Sequence, residues 1–101
     1  MIARIWHGMT EASKAAEYSE YMNQTGVIDL AATPGNQGVY MLRRLEGNRA
    51  HFLMVSLWES EEAIRRFAGE DIQKARYYPQ DKAYLLELEP SVMHYEVAAR
   101  K

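Results

Sequence analysis

The sequence predicts an α+β domain of the ferredoxin-like class, in which two helices cover one face of a four-stranded antiparallel sheet. Three observations lead to this prediction. Strand-like alternation occurs in four segments, helix-like periodicity separates the first pair and the last pair of them, and a short turn joins the middle two. The resulting order is βαββαβ, and the 101 residues have the length of one domain, residues 1–101.

The first half of the chain supplies the first strand and the first helix. The strand is expected over residues 2–9, and Thr10 is expected to cap a helix that begins at Glu11. Small residues recur at three and four positions along residues 12–26, which would let this helix lie close to a sheet. Turn-forming residues fill residues 32–38, so a loop should precede the second strand.

The second half begins with a hairpin. Strands are expected over residues 39–45 and 50–58, joined by a turn at residues 46–49 in which Gly47 and Asn48 accept a positive φ. Ser60 should cap the next helix, which Gly69 should end. The remaining predicted elements are a helical piece over 70–77, a short helix over 83–88 and a last strand over 92–98.

The composition excludes several classes of protein. With no cysteine, neither a disulfide nor a thiolate metal site is possible, and the scattered histidines give no metal-binding spacing. The net charge of −2 and the absence of a basic cluster argue against nucleic-acid binding. No apolar run is long enough to span a membrane and no signal peptide is visible, so a cytoplasmic protein is expected.

The alternation of side chains along the strands predicts how the two faces of the sheet differ. Aliphatic residues of the first and third strands fit the helix-covered face, which leaves Trp6, Phe52, Met54 and Trp58 on the other. Exposed in a monomer, such an aromatic surface would mark an interface or a ligand cleft. The sequence therefore predicts a homodimer in which two sheets pack face to face.

The chain resembles the antibiotic biosynthesis monooxygenase (ABM) family. The resemblance is carried by residues 35–44, 58–64 and 67–71, by Ala75, and by residues 94–97. It implies a dimeric α/β-barrel with a pocket in each subunit between the sheet and the helices. The family includes cofactor-independent oxygenases of aromatic polyketides, haem-degrading enzymes and many proteins of unknown role.

The haem-degrading branch of that family has three characteristic residues. Trp58 matches its tryptophan at the end of the third strand. Where the branch has a haem-ligating histidine, after Ala75, this chain has Arg76, and Trp6 and His7 stand where its asparagine should fall. An arginine cannot ligate iron, although it can meet an anion. Two of these three characteristic residues therefore depart from the haem-degrading pattern, which makes haem degradation a distant third alternative.

His7 and His94 are the candidate catalytic bases. Only an imidazole titrates near neutral pH without being perturbed, so a histidine is the natural group to take a phenolic proton. His94 shares a strand face with Glu96, whose charge would raise the pKa of the imidazole. The alternative for both histidines is a hydrogen bond at an edge or interface.

The candidate substrate-binding residues are Trp6, Trp58, Arg76 and Tyr78. The tryptophans and the tyrosine would shape an aromatic pocket, and Arg76 would hold an anion. The alternative is that these aromatic side chains pack in the core or in an interface.

Two functions of different class follow from these residues. The first is a cofactor-independent, metal-free monooxygenase that acts on a small aromatic substrate, polyketide- or quinol-like. The second is a non-enzymatic small-ligand-binding or stress-associated homodimer with the same pocket and no group positioned for chemistry. In both, the protein partner is a second copy of the chain.

Overall fold

The computed structural model describes all 101 residues, which form four strands and four α-helices. The strands are β1 (Ile2–Glu11), β2 (Asn36–Glu46), β3 (Arg49–Trp58) and β4 (Met93–Glu96). The helices are α1 (Ala15–Gln24), α2 (Gly26–Ala32), α3 (Glu61–Ala68) and the single turn α4 (Asp81–Tyr84), and a 3₁₀ turn (Ala12–Lys14) precedes α1.

The sheet has the order β2-β3-β1-β4, and every neighbouring pair is antiparallel. Consequently β1 and β2 run in the same direction with β3 between them, and β3 and β4 do so with β1 between them. Each such pair is connected through helices, which is the split βαβ plan. The predicted ferredoxin-like α+β class is confirmed.

Ser60 and Gly69 set the beginning and the end of α3. The Ser60 side chain accepts a hydrogen bond from Ala63 N at 3.2 Å, and Gly69 ends α3 with a φ of 91°, as predicted. Gly47 has a positive φ in the hairpin turn, but Asn48 does not, so that part of the turn prediction is wrong.

The first helix begins later than predicted. Thr10 is paired with Ala50 in the β1–β3 ladder, which continues to Glu11 opposite Arg49. Because Thr10 is completely buried within the strand, it cannot cap a helix, and α1 starts at Ala15 after the 3₁₀ turn. Pairing between long strands has prevailed over the local capping signal.

The predicted helical piece over residues 70–77 is also absent. This segment lies beside the chain that leads into β4, through hydrogen bonds from Ala75 N to Pro90 O (2.9 Å) and from Val92 N to Gln73 O (2.8 Å). Its backbone groups are thus satisfied by a distant segment, and the helix that follows is α4 rather than residues 83–88.

The prediction for the two faces of the sheet is wrong. Trp6, Phe52, Met54 and Trp58 lie beneath the helices, and none of them is more than 8% exposed. The helices supply large partners for them: the Tyr18 ring meets Phe52 edge-on with centroids 5.2 Å apart. The aromatic set is therefore the core of the domain and not a bare surface.

Two polar residues account for this error. Arg4 and Ser56 alternate with the aromatic residues on the same face, and both are buried. A face that carries an arginine and a serine has the pattern of a solvent-facing surface. In this protein Arg4 instead faces the interior, where it lines a cavity.

The other face, here called the open face, carries no helix. It consists of the residues that alternate with the core positions. Its members are Ala3, Ile5 and His7 on β1, Tyr40, Leu42 and Arg44 on β2, His51, Leu53, Val55 and Leu57 on β3, and Met93 and Tyr95 on β4. Tyr40, Leu42, Met93 and Tyr95 are exposed large apolar side chains. Separately, no helix of the chain has the length and apolar character needed to cross a bilayer.

Candidate functional site

A cavity lies between the helix-covered face of the sheet and the elements packed on it. It contains about 400 Å³ of empty space, including the part that opens to solvent. Most of its lining is apolar. The lining residues are Arg4, Trp6, Tyr18, Met22, Thr25, Gly26, Leu30, Met54, Phe67, Arg76, Tyr78 and Asp81.

The aromatic wall on the sheet side is formed by Trp6. Its indole lies across Gly8: a Cβ added to that glycine would be 2.4 Å from Trp6 Cη2. The absence of a side chain at Gly8 therefore sets the direction of the indole. On its other side, the Trp6 ring meets Tyr77 edge-on with centroids 6.2 Å apart.

Two guanidinium groups of the lining contact one aromatic ring. Arg4 Cζ lies 5.5 Å from the centre of the Phe67 ring, and Arg76 Cζ lies 4.6 Å from the same centre. Arg76 also lies 5.2 Å from the Tyr78 ring, and its Nη1 donates to Phe67 O at 2.9 Å. Both guanidinium groups of the cavity lining are therefore held against the Phe67 ring.

Arg4 has few partners for a buried charge. The residue is 3% exposed; its Nη2 donates to Lys74 O at 3.1 Å, and its Nε is buried with no hydrogen-bond acceptor. It makes none of the ion pairs in the chain, all of which involve other residues. Burial, and then the charge of Arg76, lower the pKa of Arg4 to about 10, so it is still a cation at neutral pH.

Asp81 is the carboxylate of the cavity, and it is also buried. It accepts hydrogen bonds from Tyr18 Oη at 2.9 Å and from Tyr78 N at 2.6 Å. Burial raises the pKa of Asp81 above its ordinary value, while these two hydrogen bonds oppose the rise. Tyr78 Oη in turn donates to Asp29 Oδ2 at 2.7 Å, and burial followed by this bond raises the pKa of Tyr78.

Three of the predicted substrate-binding residues, Trp6, Arg76 and Tyr78, line this cavity. The fourth, Trp58, does not. It is completely buried, its Nε1 donates to Ser56 Oγ at 2.8 Å, and its ring packs on Phe67 with centroids 6.3 Å apart. Trp58 thus supports the cavity wall from behind.

His7, one of the predicted bases, lies on the open face. Its Nδ1 is 2.6 Å from Glu89 Oε2 and its Nε2 is 3.1 Å from His51 Nδ1, while His51 Nε2 is 3.2 Å from Glu46 Oε1. Three hydrogen bonds to two imidazoles require three N–H protons. Two neutral imidazoles have only two such protons, so all three hydrogen bonds form together when the pair of rings carries one positive charge.

His94, the other predicted base, is opposite Arg4 on β4 and lies outside the cavity. It borders a wide surface depression together with Glu59, Glu61 and Glu96. Burial, and then the charge of Arg4, lower the pKa of His94. The expectation that Glu96 would raise this pKa is wrong, because burial and the charge of Arg4 outweigh the opposing effect of Glu61, the one carboxylate that raises it.

Sequence reasoning missed Arg4, Asp81, Tyr18 and Phe67 as cavity residues. Arg4 alternates with Trp6 along β1, and that spacing places both side chains on one face. The spacing was therefore a usable signal, once the arginine is allowed to be buried. No local sequence pattern identifies Asp81 as a cavity residue, because its position depends on how the segment after α3 folds back over α1.

The family model for antibiotic biosynthesis monooxygenases matches residues 2–76. Among curated protein sequences, none matches this chain.

Solved structures with a similar fold include haem-degrading MhuD of Mycobacterium tuberculosis with two haems bound in its active site. That structure has a TM-score of 0.65 and 21% identity, covering 100% of this chain and 99% of that one. The haem-free protein in cleaved form has a TM-score of 0.61 and 19% identity, covering 100% and 99%. A mutant of MhuD with two manganese protoporphyrins per active site has a TM-score of 0.62 and 21% identity, covering 100% and 98%. At these low sequence identities, the TM-scores show a shared fold and no more.

Proposed function

Because this chain belongs to the antibiotic biosynthesis monooxygenase family, we propose that it is a cofactor-independent monooxygenase that oxidises a small aromatic, polyketide- or quinol-like substrate. One observation carries the proposal. The cavity between the sheet and the helices combines aromatic walls with a buried carboxylate and two arginines, which is a set suited to binding and deprotonating a planar ring.

The chemistry balances without an external reductant. A ring methylene of an anthrone loses two hydrogens and gains one oxygen atom to become a carbonyl, and the second atom of O₂ leaves as water. The four electrons that reduce O₂ all come from that carbon. The task left to the protein is to remove a proton, so that the resulting carbanion can pass an electron to oxygen, and to keep bulk water away from it.

Asp81 is the best-placed base for this proton. It is the one carboxylate that lines the cavity, and its raised pKa makes it a stronger base than an exposed aspartate. His7 faces the opposite side of the sheet and His94 borders a separate depression, so a substrate in the cavity contacts neither. Both remain alternatives that the experiment below separates from Asp81.

A substrate of more than one ring requires the cavity to widen. The side chains best able to move are Met22 and Met54, because an unbranched thioether has three rotatable bonds. Trp6 is held over Gly8, and Phe67 is held by the two guanidinium groups that contact its ring. We therefore expect the ring of the substrate to displace the methionines and to stack against the fixed aromatic walls.

Haem does not fit the donor set of this cavity. No histidine lines it, and the family resemblance places Arg76 where the haem-degrading branch has its ligating histidine. The phenols of Tyr18 and Tyr78 are hydrogen-bonded to carboxylates and burial raises the pKa of each, which disfavours the phenolate that iron requires. We therefore derive no step through haem, and we expect no Soret shift when haemin is added.

The open face supports the proposal that the protein works as a homodimer. Its exposed apolar side chains lie next to half-buried ones on the central strands, in one continuous surface. A surface of this kind is stabilised by a partner, and a sheet of the same shape is available on a second copy. The cavity lies on the other side of the sheet, so the dimer would leave its entrance clear.

Oxygen uptake with a hydroxylated anthrone tests the proposed function. The wild-type protein should consume one O₂ per anthrone, and Asp81→Asn should lower the rate by roughly 100-fold, the usual scale of a lost general base. The wild-type rate should rise as pH increases through the pKa of Asp81, above the ordinary aspartate range, and the variant should lack this rise.

His7→Gln and His94→Gln separate the alternatives. If either abolishes uptake while Asp81→Asn retains it, the base is that histidine and our assignment of Asp81 is wrong. If no anthrone or quinol is oxidised, yet small aromatic molecules bind, the non-enzymatic ligand-binding dimer replaces the oxygenase.

A further inference from the structure

The lining of the cavity carries more positive than negative charge. It includes two guanidinium groups, Arg4 and Arg76, and one carboxylate, Asp81. Asp81 already accepts bonds from Tyr18 Oη and Tyr78 N, and it forms an ion pair with neither arginine. The nearest acid to Arg76 is Asp29, at 3.6 Å, and Asp29 is shared with the hydroxyl of Tyr78.

Arg4 is the unusual member of this pair. A buried guanidinium is normally matched by a carboxylate, because an uncompensated charge is costly to remove from water. Arg4 lines the cavity, is 3% exposed and has no acid partner, and its buried Nε has no acceptor. Trp6 Nε1, two residues along the same strand, is likewise buried without a partner.

From this arrangement we propose that Arg4 and Arg76 together bind an oxyanion carried by the aromatic substrate, so that the substrate class is planar aromatic acids. The inference rests on the proposed function for the location of the substrate. Both guanidinium groups contact the same Phe67 ring, line the same cavity, and are close enough for the charge of Arg76 to lower the pKa of Arg4, so one anionic group in the cavity is attracted by both. A carboxylate would supply the acceptor that Arg4 Nε lacks.

The position of the pair also orients the substrate. Phe67 and Tyr78 flank the guanidinium groups, while Trp6, Met22 and Met54 line the rest of the cavity. A ring acid would place its oxyanion at the arginines and its aromatic body among the apolar side chains. Arg4 and Arg76 are thus proposed to determine specificity between acidic and neutral rings.

Isothermal titration calorimetry with 2-naphthoate and its neutral counterpart 2-naphthamide tests this inference. The readout is the ratio of the two affinities within one protein, because damage to the cavity weakens both ligands and leaves their ratio unchanged. We expect wild type to prefer the acid, and Arg4→Met to reduce that preference roughly 10- to 100-fold, the scale of a lost charged hydrogen bond.

Two further variants complete the test. Arg76→Met should also reduce the preference, and it provides the measurement if Arg4→Met does not fold. Arg66→Met removes the same charge from an exposed position of α3 outside the cavity, and should leave the ratio unchanged. Equal binding of acid and amide by wild type, or a ratio unaltered in both cavity variants, would overturn the inference.

The binding result and the oxygen-uptake result are independent. A preference for the acid that depends on the arginines, without any oxygen uptake, would keep the anion site and reject the oxygenase. Uptake with neutral anthrones by a protein that does not distinguish acid from amide would keep the oxygenase and reject the anion site.

Discussion

At the scale of single residues, the helix-covered face is defined by a few polar groups placed in an aromatic core. Ser56 and Trp58 form one such pair. Both are almost completely buried, and the indole Nε1 of Trp58 donates to Ser56 Oγ at 2.8 Å. The serine thus satisfies the only polar atom of a ring that packs against the back of Phe67.

Replacing Ser56 by Ala should therefore destabilise the fold by about 1–3 kcal/mol, because the indole N–H is left buried without an acceptor. In a Trp58→Phe background the same Ser56→Ala change should cost much less, since no N–H remains to be satisfied. Urea unfolding of the four proteins measures both values, with the exposed Ser91→Ala as control. An equal cost of Ser56→Ala in the two backgrounds would contradict this account.

Some residues of the candidate site could be predicted from the sequence, and others could not. Trp6, Arg76 and Tyr78 were predicted because aromatic and cationic residue types indicate a pocket wherever the chain places them. Arg4 and Asp81 were missed because a charged residue is ordinarily exposed, so its type argued for solvent. Their burial depends on long-range packing of the segment after α3, which local patterns do not encode.

At the scale of elements, α3 connects the fold to the candidate site. It is short, from Glu61 to Ala68, and it places the Phe67 ring in contact with both cavity arginines. Its beginning and end were predictable, because Ser60 and Gly69 act through backbone geometry within one turn. The segment that follows was not, since its hydrogen bonds go to the chain before β4.

The cap of α3 allows a specific prediction. Ser60→Ala removes the side-chain acceptor for Ala63 N and should lower the free energy of unfolding by about 1 kcal/mol, whereas Ser60→Asp keeps an acceptor and should cost little. Thermal and urea unfolding measure both variants. If the alanine and aspartate proteins are equally destabilised, the loss does not arise from the cap.

At the scale of the whole molecule, the sheet separates two different surfaces. One face carries the helices, the core and the cavity, and the open face carries apolar side chains that the domain itself leaves uncovered. The sequence predicted a homodimer but from the wrong face, because alternation divides side chains into two sets without indicating which set the helices cover. The proposed dimer now depends on the aliphatic set.

The open face yields the last prediction. Leu42 is 48% exposed and lies beside Leu53 in the β2–β3 ladder, so Leu42→Lys would place a charge within the proposed interface. We expect sedimentation equilibrium to show a dimer for wild type at micromolar concentration and a monomer for the variant, because burying an unpaired ammonium group opposes association. Ile28→Lys is the matched control: Ile28 is 55% exposed but belongs to α2, so this variant should stay dimeric. A monomeric wild type, or a Leu42→Lys protein that associates as tightly as wild type, would show that the open face is not where two copies meet.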